Sequence, residues 1–440
     1  MVHLPTLLYN IKDIFDDPDE LIPCQAVLSH NVIRSAHMEH YDRRMVYAPE
    51  WMRTFSCLAG DCPEVCCQQW NVDVDPAHAE SLRHIEDPEL QELMSSVLRS
   101  VRIRRPGSRQ TETVHRLALL SRPDKRCPLL NERNECRLHK KYGPYVLCDT
   151  CYFHPRTFWQ VDEQSFLSAC LSCPECARLA LMHEEPTAFA VFEAEIDPSA
   201  EWLETELIPD PEARELLRSR DELVHFLCAF LQERTLPLPE RIKQALYFLE
   251  KLAPGADQTS PGETPAFDPE TLMAEFTEVF DPVSDALEKP AQGTVLFMRE
   301  LAGGTEGYIR LLAANFRKGL AVLDPFLRDR PWLEENFLVH CIFSDSFKQF
   351  TRYQNETLTA AEILRHEAGL LTAWYWYFRV LMSGTALKHG KMTEELFLQT
   401  AARSDKLWWH YPDWFGRCAD RMGRFSHEDL SKIVDLLNIG

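Results

Sequence analysis

Cysteine spacing is where this 440-residue chain first offers chemistry. Twelve of its fifteen cysteines precede residue 180, and most fall into three tight groups. The first is Cys57-x4-Cys62-x3-Cys66-Cys67. The second runs Cys127-x8-Cys136 and on to Cys148-x2-Cys151. The third is Cys170-x2-Cys173-x2-Cys176. Thiolates two or three residues apart can converge on one soft metal centre, because a tight turn brings neighbouring side chains within bonding reach. The first half of the chain is therefore expected to hold zinc or an iron–sulfur cluster. A disulfide framework suits short secreted chains with no room for a core, and this chain has ample length. Its start, Met1 to Asp16, also lacks the basic region, apolar stretch and cleavage site of a signal peptide. Cys24, Cys228, Cys341 and Cys418 stand alone among apolar neighbours and read as inert buried thiols.

The elements that must position these thiols are mainly α. A chain of this length predicts two or three domains. Residues 1–47 read as an N-terminal extension, 48–186 as a cysteine-rich metal or cluster domain with a few short strands, and 187–440 as a helical domain. A Pro- and Gly-rich loop interrupts the last at 253–269. Within the cysteine-rich part, Asp75-Pro76 is an N-cap followed by proline at the first helical position, predicting a helix over Ala77–Val101. Apolar residues at helical spacing predict further helices over Asp221–Glu233, Glu270–Phe280, Thr294–Leu301, Gly307–Phe316, Trp332–Phe350, Ala360–Met382 and Thr393–Ser404. Strand signals are sparse: Trp70–Asp75 alternates apolar and polar, and Phe158–Phe166 is a second candidate.

Charge and hydropathy exclude other classes. A net charge of −21 argues against a general nucleic-acid binder, since most of the surface would repel a phosphate backbone. The basic stretch at Arg102, Arg104, Arg105 and Arg109 reads as a solvated loop around Pro106-Gly107. No run reaches the length needed to span a bilayer, and Leu370–Leu381 is broken by Arg379. A soluble, cytoplasmic protein is expected. Familiar catalytic signatures are missing too. There is no phosphate loop, no G-x-G-x-x-G after a strand, no G-x-S-x-G and no H-E-x-x-H. The C-x3-C-x2-C spacing of radical enzymes is also absent, while Cys170-x2-Cys173-x2-Cys176 imitates half a ferredoxin motif without its fourth cysteine.

One family does share these residues. The segment Phe55-Ser-Cys57-Leu-Ala-Gly60-Asp-Cys62-Pro-Glu-Val-Cys66-Cys67-Gln-Gln-Trp70-Asn-Val-Asp-Val-Asp75 resembles the opening signature of the flagellin lysine-N-methylases. The likeness continues through Cys127-Pro-Leu-Leu, Cys136-Arg-Leu-His, Leu147-Cys-Asp-Thr-Cys151-Tyr-Phe-His-Pro155-Arg156 and Ser172-Cys173-Pro-Glu. In the helical half, Glu335-Asn-Phe-Leu-Val-His-Cys-Ile-Phe343 and Arg403-Ser-Asp-Lys-Leu resemble later blocks of the family. By this resemblance Cys57, Cys62, Cys66, Cys67, Cys127, Cys136, Cys151 and Cys173 are metal ligands, and Cys148, Cys170 and Cys176 are additions. It implies a [4Fe–4S] cluster, S-adenosylmethionine as methyl donor, and lysine ε-amines of flagellin as acceptors.

The chemistry makes its own demands. A lysine can accept a methyl group only as the neutral amine, so its pKa must be lowered by desolvation or its proton taken by a base. The sulfonium donor is a cation, favoured by carboxylates and aromatic faces. Trp374–Phe378 and Trp408–Tyr411 offer such faces, although helix packing explains them better. Asp75 is an N-cap or a polar group at the donor site, and Arg156 binds a carboxylate or braces an acidic loop. Both are carried forward as candidate donor-binding residues. Trp70 is expected to pack over the cysteines, and His139 to sit on the surface of a short helix. No catalytic residue is assigned. The competing expectation is a non-catalytic zinc- or iron-binding module that uses its helices to hold a partner. Protein isolated without oxygen is predicted to be brown, with about four irons and four sulfides per cluster. Changing Cys66 or Cys67 to Ala should bleach it and lower soluble yield; full iron retention in both variants would remove these residues from the ligand set.

Overall fold

The computed structural model describes residues 41–68, 70–104, 111–253, 305–410, 416 and 419–438. The helices expected over Glu270–Phe280 and Thr294–Leu301, the loop from residue 254 onward, the turn at Pro106-Gly107 and residues 1–40 lie outside these. In chain order the first elements are β1 (Arg43–Pro49), β2 (Val72–Val74), α1 (Pro76–Arg83), α2 (Pro88–Val97), β3 (Leu98–Arg104) and β4 (Thr111–Leu117). Next come α3 (Arg137–Tyr142), α4 (Asp149–Phe153), β5 (Arg156–Val161), β6 (Gln164–Ala169), α5 (Pro174–Leu181), β7 (Phe189–Glu195) and β8 (Glu201–Leu203). The helical half contains α6 (Pro211–Arg218), α7 (Arg220–Leu231), α8 (Leu238–Leu252), α9 (Thr305–Arg328) and α10 (Trp332–Asp345). It ends with α11 (Phe350–Asn355), α12 (Ala360–His389), α13 (Glu394–His410) and α14 (His427–Leu436). Helix predominates, as expected.

Three expectations change. The single helix over Ala77–Val101 is two helices and the start of a strand. A second N-cap and proline, Asp87-Pro88, restarts the helix, with Asp87 Oδ1 accepting from Leu90 N at 3.0 Å. After Val97 the chain turns extended as β3. The half beyond residue 187 is also not helical from its start, because β7 and β8 precede α6. Of the two strand signals, Trp70–Asp75 holds, with Val72–Val74 as β2, whereas Phe158–Phe166 is not one strand but the turn and adjoining parts of the β5–β6 hairpin. That hairpin turns on Asp162 at φ 49, a left-handed position Asp tolerates. The Asp162 carboxylate then accepts from Thr205 N at 2.9 Å and Thr205 Oγ1 at 2.8 Å, just beyond β8.

The five-stranded sheet has the order β7-β1-β6-β5-β8, and a three-stranded sheet has the order β2-β4-β3. Alternation along the larger sheet feeds two cores. Trp159, Val161 and Phe166 face the main helical core, while Phe158, Leu167, Ala169, Val46 and Ala48 face a smaller one that includes Phe153 and Cys176. Trp159 and Phe166 pair across β5 and β6 with rings stacked 5.6 Å apart. The three-stranded sheet and α1–α2 enclose a third core around Val72, Leu90, Met94, Leu117 and Cys127.

α12 is the axis of the helical half. A capping box starts it, Thr359 with Glu362, and Gly390 in the left-handed region ends it. Trp374, Tyr375, Trp376, Tyr377 and Phe378 are all buried, so the packing reading of that aromatic run is the one realised. Arg379, which breaks the apolar run, is neutralised inside by Asp324 at 2.9 Å and Glu334 at 3.0 Å. No helix among the described residues is long and apolar enough to cross a membrane. Backbones approach closely at Gly369: a Cβ there would lie 2.6 Å from Gly423 N and closer still to Ala419 O. Gly369→Ala is therefore predicted to destabilise the fold by roughly 1–3 kcal/mol through overpacking, read as a lowered Tm in thermal unfolding. An unchanged Tm would contradict this close approach.

Candidate functional site: two thiol groups and an acidic strip

Local turns bring the cysteines of distant segments together. Cys127 N donates to Cys67 O at 2.9 Å, which lays the second segment against the first. The loop between Cys127 and Cys136 closes on Asn131, whose Oδ1 accepts from Arg133 N and Glu135 N at 2.9 Å each, and Leu130 bridges to Cys136. Cys148 occupies the N-cap position of α4 and Cys151 lies in its first turn, with Cys151 N donating to Cys148 O at 2.9 Å. Cys67, Cys127, Cys136, Cys148 and Cys151 all pack in the core of the three-stranded sheet. Burial pushes the Cys127 thiol up to about 12. Hydrogen bonding from Cys151 holds the Cys148 thiol below its ordinary value, and Cys151 is raised in turn.

The remaining thiols gather around α5. Cys170 follows β6, Cys173 is the N-cap of α5 and Cys176 lies in its first turn. Ser172 Oγ donates to Cys170 Sγ at 3.0 Å. A hydrogen bond from Cys176 holds Cys173 down at about 6, and Cys176 is pushed up by burial and by the same bond. Burial raises Cys62, and Cys173, Cys66 and Cys57 are the thiols that act on it. Cys57 itself is exposed. Cys66 stands between the groups, its sulfur 3.9 Å from Cys67 Sγ and its pKa lowered by that bond and by His154.

His154 sits at the same junction. Its Nε2 is buried with no hydrogen-bond partner. Burial opposes charge on this ring, but the Cys170 and Cys66 sulfurs beside it prevail and raise its pKa. Trp70 covers it, ring centroids 5.8 Å apart, and donates from Nε1 to Cys66 O. All thirteen described cysteines are free thiols, so the donors suit soft-metal ligation. The only described His, Cys, Asp or Glu group with three ligand atoms mutually within 4.8 Å is Asp75, His78 and Asp149. A single tetrahedral zinc at Zn–S bonds of about 2.3 Å would need sulfurs ~3.8 Å apart. No three described cysteine sulfurs lie within 4.8 Å of one another.

Each predicted site residue has a definite place. Asp75 caps α1, its Oδ1 accepting from His78 N at 2.9 Å and its Oδ2 meeting His78 Nδ1 at 2.9 Å. Burial disfavours the charge, yet the His78 bonds hold the carboxyl down at about 2. Asp149 joins this group, accepting from Tyr41 OH at 2.8 Å. Arg156 lies 5.2 Å from the Phe55 ring centroid and is one of the charges acting on Cys176. Asp75 and Arg156 thus flank different thiol groups. His139 is exposed on α3, and Cys228 and Cys341 are buried singly in the helical core. Nothing is described of Cys24, Cys418 or Tyr411.

Sequence reading missed His154, Asp405 and Asp345. The first two lay in quoted blocks, beside Pro155 and within Arg403-Ser-Asp-Lys-Leu. Ser172 N donates to Asp405 Oδ2 at 2.7 Å, joining the second thiol group to α13. Burial pushes the Asp405 carboxyl up to about 7, and Asp345 and His154 are among the charges that act on it. Burial raises Asp345 to about 6, with Lys348 opposing. Lys348 Nζ stands 4.3 Å from the Trp159 ring centroid, and burial lowers its pKa. An acidic strip thus leads from the thiols into the helical half.

That half is the part that comparison recognises. Residues 225–433 match the FliB lysine N-methylase C-terminal domain. That match supports the flagellin lysine N-methylase family for this chain. No curated protein and no solved structure matches the chain. The matched span contains Asp345, Lys348 and Asp405, whereas all eight of the cysteines expected as ligands precede it.

Proposed function

We propose that this protein is a lysine N-methyltransferase that moves methyl groups from S-adenosylmethionine to ε-amines of flagellin in the cytoplasm, with a [4Fe–4S] cluster held by its thiols. The observation that carries the reading is the family match over residues 225–433, whose acidic strip meets the cysteines at Ser172 and Asp405. The first thiol group, with Cys67, Cys127, Cys136 and Cys151 all among the expected ligands, is suited to hold the cluster. When bound, the cluster supplies either an iron able to take the donor's amino and carboxylate groups or a rigid brace.

The protein's own residues provide the rest. The acceptor lysine arrives as an ammonium and must lose a proton before its lone pair can attack the methyl carbon. Asp405 is the carboxylate best suited to accept that proton, because its raised pKa of about 7 makes it a base matched to neutral pH. Asp345 adds negative charge that favours a cationic side chain and a sulfonium in the same strip. The net charge of −21 suits a lysine-bearing protein substrate and disfavours nucleic acid.

Incubation of cluster-loaded protein with S-adenosylmethionine and flagellin from the same cell should add increments of about 14 Da to lysines, seen by mass spectrometry of tryptic peptides. An intact cluster with donor bound and no increment on any lysine would sink the flagellin assignment. Colourless protein with stoichiometric zinc and no affinity for the donor would favour the non-catalytic module. The methylation rate should rise as pH passes about 7, because Asp405 is protonated below that value and basic above it. Asp405→Asn keeps an acceptor for Ser172 N but not the base. It should slow transfer by on the order of 100-fold and move the rising limb to the higher pH of lysine ionisation. An unmoved pH profile would remove Asp405 from the proton path.

A further inference from the structure

We propose that the thiols build two separate metal centres, the second held by Cys170, Cys173 and Cys176 at the start of α5. This rests on the reading that the cysteines bind iron, and goes beyond its single cluster. Eleven cysteines lie between residues 57 and 176, and one [4Fe–4S] cluster takes only about four thiolates. The surplus is not scattered. Cys67, Cys127, Cys136, Cys148 and Cys151 pack in the core of the three-stranded sheet, whereas Cys173 and Cys176 pack in the small core behind the five-stranded sheet.

The backbone divides them in the same way. Cys127 N donates to Cys67 O and Cys151 N to Cys148 O, both at 2.9 Å, whereas Cys173 N donates to Cys170 O at 3.4 Å and Cys176 lies in the first turn of α5. Cys228 and Cys341 show what a surplus thiol looks like in this fold: each is buried alone in the helical core.

The second group also meets positive charge suited to thiolates. The N-terminal amides of α5 follow Cys173 directly, and a helix N-terminus favours thiolate. Arg156 is among the charges acting on Cys176. A centre carrying net negative charge would meet both. This gives Arg156 a role beside a cluster rather than at a donor carboxylate.

The test is metal content of the full-length protein isolated without oxygen, with electron paramagnetic resonance after dithionite reduction. Two [4Fe–4S] centres predict about eight irons and eight sulfides per chain, and signals broadened by coupling between the centres. The double variant Cys173→Ser/Cys176→Ser should keep about four irons and give an uncoupled signal; Cys127→Ser/Cys136→Ser should do the same with a different signal. If a variant fails to fold, reconstitution of metal-free wild type with iron and sulfide replaces it, and saturation at about eight irons supports two centres. About four irons, lost wholly in one double variant and untouched in the other, would overturn the second centre while leaving the single cluster. Iron with zinc that departs only in Cys173→Ser/Cys176→Ser would keep the second centre and overturn its iron identity. Wild type without iron would overturn the cluster reading itself.

Discussion

The structure depends on α10, a helix buried on nearly all sides whose few polar groups reach into the cysteine-bearing half. Asn336 Nδ2 donates to Leu181 O at 3.1 Å and His183 O at 2.8 Å, satisfying carbonyls at the end of α5. At the other end, Ser344 Oγ and Ser168 Oγ of β6 share a hydrogen bond of 2.7 Å. Between them the helix fixes both strand and helix that flank Cys170, Cys173 and Cys176. Glu335 secures α10 from the opposite side through Arg234 and Arg241, each at 2.8 Å. A buried carboxylate held in this way specifies position strongly, because loss of a partner leaves a charge uncompensated at a cost of about 3–5 kcal/mol. The thiols therefore answer to the helical half as much as to their own loops.

This arrangement explains which parts could be read in advance. Helices with strong periodicity and local caps were legible: Asp75-Pro76 starts α1, and the run at Ala360 begins α12 where expected. The second N-cap at Asp87-Pro88 is equally local, but it lies inside the segment expected to form one helix over Ala77–Val101. β1, β7 and β8 were not legible, because their partners are distant in sequence and one-sided alternation is weak when both faces are covered. Cys66 and Cys67 announced themselves by adjacency. His154 and Asp405 did not, since an isolated histidine or aspartate gains meaning only from what folds against it, here Cys170, Cys66 and Ser172.

The two candidate donor residues illustrate the same limit. Asp75 is occupied by its cap, its His78 pair and the Asp149 amide at 3.3 Å, and the cap is what its N-cap signature implied. Among the described residues, Arg156 lies beside Phe55 and acts on Cys176. Meanwhile Asp345 and Asp405, two carboxyls whose pKa values are displaced toward neutrality, sit on helices whose sequence gives no sign of it. Burial, not residue type, sets their chemistry.

The pairing of β1 with β6 also orders events during synthesis. Val46 lies opposite Ser165 in parallel register, so the first strand of the sheet must wait for a partner more than a hundred residues later. Cys57, Cys62, Cys66 and Cys67 follow that waiting strand, and emerge from the ribosome well before Cys127, Cys148 or Cys170. During that interval they are unpaired thiols on an unclosed chain, open to oxidants and to stray metal. A site drawn from Cys67, Cys127, Cys136 and Cys151 cannot be complete until residue 151 has left the exit tunnel. Until then the early thiols of the growing chain wait without the partners they are folded against.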